Sequence, residues 1–161
     1  MTTYWEKAPI EVIQLAEALI AAHHRDLLDA RIGILFRSPT PESKGKRQLG
    51  EASKVTDKIR PLLKRDLDFI IWVAADWWLD EADERQKKAM LDHTLCHCRI
   101  VDGVPTIAQH DIEEFTQVIH RYGFWNEDLE RFDQDGRQAR LFAPAGEVLA
   151  VDTDRAGEFM T

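Results

Sequence analysis

Asp68-Phe-Ile-Ile-Trp-Val-Ala-Ala75, then the acidic break Asp80-Glu81-Ala-Asp83-Glu84, then Ala89-Met-Leu-Asp-His-Thr-Leu-Cys-His97 together decide how this chain folds. The first run is continuously apolar, as expected of a central strand buried on both faces, and is far too short to span a membrane. The acidic cluster supplies capping-type residues, so a helix is predicted from about residue 80 to Cys98. Ala89, Met90, His93, Cys96 and His97 fall on one side of it. Histidines four apart on a helix sit one above the other, about 40° apart around the axis, so both rings can reach one point.

Upstream of this strand and helix, Pro9 suits the first turn of a helix, where its missing N–H costs nothing. Ile10, Val12, Ile13, Leu15, Ala16, Leu19 and Ile20 then recur at helical spacing to about His23. Asp26 to Ala30 extends this helix or turns. Arg31-Ile-Gly-Ile-Leu-Phe-Arg37 reads as a strand, ended by the two prolines of Ser38-Pro-Thr-Pro41. Ser43 to Ser53 is polar and basic and reads as an exposed loop, with Lys44, Lys46 and Arg47 solvated. From Val55 to Leu67 strand and short helix compete, and Pro61 rules out a long element.

Downstream, Asp102-Gly103 marks a turn and Val104-Pro-Thr-Ile107 an extended link. Asp111 suits an N-cap for a helix over Ile112 to Tyr122, stopped by Gly123. After Trp125 the chain turns acidic and turn-rich. Leu141-Phe142 and Val148 to Val151, split by Pro144-Ala-Gly146, could pair as a small hairpin. With no repeats and no linker, one domain over residues 1–161 is expected, its core at about 8–125 and a hairpin or tail at 126–161.

A 161-residue chain with 44% hydrophobic residues can bury one sizeable core. Lys+Arg 21 against Asp+Glu 29 gives a formal charge of −8, which argues against nucleic-acid binding through a broad basic face. Cys96 and Cys98, too few and too close to staple a secreted fold, suggest a reducing cytoplasm. Met1 to Lys7 lacks the pattern of a signal peptide. No membrane partner is expected.

His110-Asp111 follows the histidine pair after the Gly103 turn, a distance that lets the chain double back over the helix. Imidazole is the commonest metal-binding side chain, and H-E-x-x-H on a helix is the zinc-peptidase arrangement, its glutamate the general base. A lone H-x-x-x-H pair is weak evidence by itself. The third histidine and the preceding apolar strand strengthen it. His110 is the candidate third ligand, and Asp111 is a rival ligand, a supporting partner or simply a helix cap. Cys96 reads as a buried small hydrophobe before a thiolate ligand. His23, His24 and His120 read as surface residues, and Trp72, Trp77, Trp78 and Trp125 as core or groove lining.

Asp68-Phe-Ile-Ile71, Trp77-Trp78, Ala89 to His97, His110-Asp-Ile-Glu-Glu-Phe115 and Arg121-Tyr-Gly-Phe-Trp125 resemble the putative phage metallopeptidase family, small phage and prophage proteins related to minimal gluzincin and SprT-like zinc peptidases. The resemblance runs from about Arg31 to Trp125. It implies an α+β, zincin-like domain: a short mixed sheet packed against a metal-binding helix and flanking helices. It also implies Zn2+ held by His93, His97 and His110, and a catalytic glutamate after the first histidine. Asp92 and Asp111 are candidate supporting residues or alternative ligands.

Thr94 stands at that glutamate's position, and a hydroxyl cannot take a proton near neutral pH as a carboxylate does. Losing a general acid/base costs on the order of 10²–10⁴-fold in rate. The expectation is therefore a zinc-binding, metallopeptidase-like protein of a bacterial host's cytoplasm, a pseudo-enzyme or an inactivated variant, which binds a peptide or protein ligand by strand addition. A base drawn from Asp92, Asp111 or Glu114 ranks lower. The rival expectation is an acidic interaction protein that binds or blocks a host factor without catalysis.

Overall fold

A computed structural model describes residues 1–110 and 114–141. Contacts separate two units, Met1–Trp125 and Asn126–Thr161. In the first, β1 (Tyr4–Lys7) leads into α1 (Ile10–His23). Next come β2 (Ile32–Ser38), the small hairpin β3 (Glu42–Ser43) and β4 (Lys46–Arg47), and β5 (Gly50–Lys54). β6 (Phe69–Ala74) runs straight into α2 (Ala75–Asp80), and α3 (Glu84–His97) straight into β7 (Cys98–Val101). β8 (Val104–Ile107) and α4 (Thr116–Tyr122) complete the unit.

The main sheet has the order β1-β2-β6-β5. β2 and β6 pair in parallel at its centre, and β1 and β5 join antiparallel at the two edges. This is a mixed sheet in an α+β domain, as expected. The pairings Ile34↔Ile71 and Phe36↔Val73 set four apolar side chains on one face, and all four are buried. Each such side chain contributes about 1.5–3 kcal/mol by leaving water. α1 adds Val12, Ala16 and Leu19, spaced three to four apart along one stripe. On the other face the Arg37 guanidinium lies between the Trp5 and Trp72 rings, 5.3 and 4.9 Å from their centres.

α3 begins at a capping box. Gln86 N donates to Asp83 Oδ1 at 2.8 Å, and Asp83 N donates to Gln86 Oε1 at 3.0 Å. Its middle abuts β5 so closely that a methyl group on Gly50 would sit 2.6 Å from Met90 Cε, and 2.7 Å from the Trp72 carbonyl oxygen of β6. Glycine is the residue that permits this approach.

Several expectations are corrected. Residues 43–53 are no loop: they hold β4 and the edge strand β5. The polar Glu51, Ser53 and Lys54 had masked this strand, because an edge strand wets its outer side. The hairpin tip Lys44-Gly45 has positive φ at both residues, and Lys44, Lys46 and Arg47 are exposed as predicted. Trp77 and Trp78 lie in α2, a short helix the apolar run concealed. The extended link is a paired strand, β8 against β7. His24 is buried, not on the surface, whereas His23 and His120 are exposed. α4 starts at Thr116, later than predicted, and Asp111 to Glu113 lie outside the described residues.

In the second unit, residues 127–141 are helical (α5, Glu127–Leu141) instead of turn-rich. Asn126 Oδ1 accepts from Leu129 N at 2.9 Å and caps the start. Four-residue pairs such as Arg137–Asp133, at 2.7 Å, line the helix. The expected hairpin beyond Leu141 lies outside the described residues. Among those described, no helix is long and apolar enough to cross a membrane.

Candidate metal centre

The last two turns of α3 present His93 and His97 on one face, and the β7–β8 hairpin returns the chain over that face. The return is tied at its base: Ala108 N donates to the His97 carbonyl at 2.7 Å, and His97 Nδ1–H donates to the Ala108 carbonyl at 2.7 Å. Two residues later His110 comes down on the pair. Its Nε2 lies 3.2 Å from Nε2 of His93 and 2.9 Å from Nε2 of His97, and the latter two are 3.3 Å apart.

Three nitrogens at such spacing fit one ion well. Ligands about 2.0–2.1 Å from a tetrahedral centre lie about 3.3–3.4 Å from one another. The protons support the same conclusion. A carbonyl and a carboxylate can only accept, so the Nδ1 of His97, facing Ala108, and that of His93, facing the Glu114 carboxylate, both carry hydrogen. In the neutral ring Nε2 then bears a lone pair, and two such pairs face each other in the cluster. Burial pushes the His97 pKa down, and the nearby His93 and His110 rings add to the shift, so this ring is held in the neutral, ligating form. Facing lone pairs of this kind are the arrangement a bound cation would satisfy.

Glu114, which the sequence offered only as a low-ranked alternative base, lies against the Nδ1 side of His93. It is buried, and it does not approach Nε2 as a base would. Its Oε1 accepts from His93 Nδ1 and, at 2.7 Å, from Phe115 N, while Oε2 accepts from Trp125 Nε1 at 3.0 Å. It therefore fixes the tautomer and tilt of the His93 ring. The Phe115 ring packs against all three imidazoles, with centroid separations of 5.6, 5.0 and 5.3 Å. The acidic and aromatic residues trailing His110 were the available sequence signal.

Thr94 is buried on the β5 side of the helix, and its hydroxyl donates to the Met90 carbonyl one turn back at 2.7 Å. Among the described residues, the donor atoms that gather within 4.8 Å of one another here are the three imidazole nitrogens, without a carboxylate.

Asp92 and Cys96 lie on the neighbouring stripe of α3 and form a second cluster with His24. Both Asp92 oxygens are already engaged, Oδ1 with His24 Nε2 and Oδ2 with Arg121 Nη1, each at 2.6 Å. Burial pushes the Cys96 thiol up to about 12, reinforced by Asp92, so it stays protonated. A guanidinium already supplies the cation this cluster needs.

Comparison with known families adds one finding. A family model described as Putative phage metallopeptidase matches residues 3–133. No curated protein and no solved structure matches the chain.

Proposed function

This chain belongs to the putative phage metallopeptidase family, and on that premise we propose a zinc-binding, metallopeptidase-like protein of phage or prophage whose peptide hydrolysis is impaired at Thr94. The family implies a metal cofactor, and His93, His97 and His110 are the residues that would hold it. Zinc suits an all-imidazole set of three with a fourth position open. Bound there, zinc supplies Lewis-acid chemistry and makes water a nucleophile near neutral pH.

The chain's own residues determine how far that chemistry can go. Glu114 and the Ala108 carbonyl hold the His93 and His97 rings in the ligating tautomer. Thr94 offers no carboxylate to take the proton and return it to a leaving amine. Binding without cutting is the activity that remains. Among the described residues β5 pairs only with β6 in the main sheet and runs beside α3, which makes it the strand that an extended peptide would join near the histidines. Both cysteines are free, buried thiols, which supports a bacterial cytoplasm as the working compartment.

The observation that carries this reading is the convergence of three Nε2 atoms with two of the rings locked through Nδ1. It is tested by metal content, measured by mass spectrometry on protein purified without chelator. We expect about one zinc per chain in the parent and none in His97→Ala. A metal-free parent as stable as the mutant would leave the acidic interaction protein as the better account.

A further inference from the structure

We infer that Arg121 is a positioning residue for the metal centre, acting through Asp92 and α4 on Glu114; this rests on the proposal that the three histidines hold zinc. α4 is bracketed by the residues that form the outer layer of the site. Glu114 and Phe115 immediately precede it, and Trp125 follows it, donating to the Glu114 carboxylate. Where α4 sits along α3 therefore decides where the Glu114 oxygen meets His93.

Polar links from α4 to Asp92 and Cys96 fix that position. Arg121 Nη1 donates to the fully buried Asp92 at 2.6 Å, and Gln117 Nε2 reaches Cys96 Sγ at 3.1 Å. Arg121 Nη2 also donates to Gln117 Oε1 at 3.3 Å, which joins the two links into one network. His24, at the end of α1, engages the other Asp92 oxygen at 2.6 Å, and the side chain of Tyr122, next to Arg121 on α4, also hydrogen-bonds this carboxylate. Asp92 and Cys96 each directly precede a ligand, His93 and His97. Every ligand on α3 thus has a neighbour in the chain that locks α4, and α4 in turn presents Glu114 to the ligand. Apolar contacts such as that of the buried Val118 hold α4 down without setting its position along α3. The directional bond from Arg121 to Asp92 sets it.

The test is a double-mutant cycle read as zinc affinity, by competition of zinc alone against a chromophoric chelator. Outer-layer partners of ligating histidines are worth about 10–100-fold in metal affinity. Glu114→Gln should lose an amount in that range, and Arg121→Leu about tenfold. Arg121→Leu added to Glu114→Gln should lose little more, because both act through one hydrogen bond. Arg121→Lys should recover part of the loss. Val118→Ala serves as the control: it lowers the melting temperature of the metal-free protein while leaving zinc affinity within about twofold, since its contacts are apolar and lie outside the network. Additive losses at Glu114 and Arg121, or an equal loss in Val118→Ala, would reduce Arg121 to a general structural role and overturn the inference. A parent that binds no zinc would overturn the underlying reading as well, and that outcome is visible before any mutant is made.

Discussion

Position 94 sets the chemistry at the scale of a single residue. Its hydroxyl is committed to its own helix, so a glutamate there should restore what the site lacks. Thr94→Glu, loaded with zinc, is expected to cleave a quenched fluorescent peptide library about 10²–10⁴-fold faster than the parent. No gain in the zinc-loaded protein would mean that more than this one group is missing. The histidine ligands were legible in the sequence because four-residue spacing on a helix fixes their mutual geometry without any tertiary knowledge. Glu114 was legible only as an acid near the site. Whether it faces Nδ1 or Nε2 of His93 depends on where α4 packs, which spacing does not encode. His24 was misread for the same reason: its partner Asp92 is remote in sequence and nothing beside His24 announces it.

At the scale of elements, α3 and β5 meet so closely at Gly50 that no side chain fits between them. Gly50→Ala would drive a methyl group into Met90 and into a backbone carbonyl that cannot swing aside. A loss of about 1–3 kcal/mol is expected from such overpacking, read from the midpoint of urea unfolding. The capping box of α3 is a milder test. Asp83→Ala should cost about 1 kcal/mol and leave zinc affinity unchanged, since the cap lies at the far end from the ligands. β6 and α3 were legible because apolar runs and caps mark them strongly. β5 was not, since Gly-Glu-Ala-Ser-Lys is polar and its strand conformation comes from pairing with β6. α5 was missed because its charged residues resemble a solvated tail until their four-residue pairings are seen.

The whole molecule should lose stability to acid in two stages when free of metal. The His97 pKa is lowered in the fold, so the unfolded chain binds the extra proton first, and stability falls as pH drops below about 6.5. Burial opposes ionisation of Asp92, but His24 and Arg121 overcome it and hold the carboxyl below the usual range. Its contribution is therefore complete above about pH 4 and is lost as pH falls further. Urea midpoints measured from pH 8 to pH 3 should show both stages. His97→Ala should remove the upper one and Asp92→Asn the lower; a single stage unchanged by either variant would contradict this assignment.

All three candidate ligands lie between His93 and His110, joined by one tight hairpin. The entropy of closing a loop grows only with the logarithm of its length, so this short chelating segment keeps much of its reach for an ion even after the sheet has come apart. An ion shared by folded and denatured chains protects the fold less than its affinity suggests. Zinc should therefore raise the melting temperature by less than the native dissociation constant implies, and a denatured chain should give up its metal only slowly to a competing chelator.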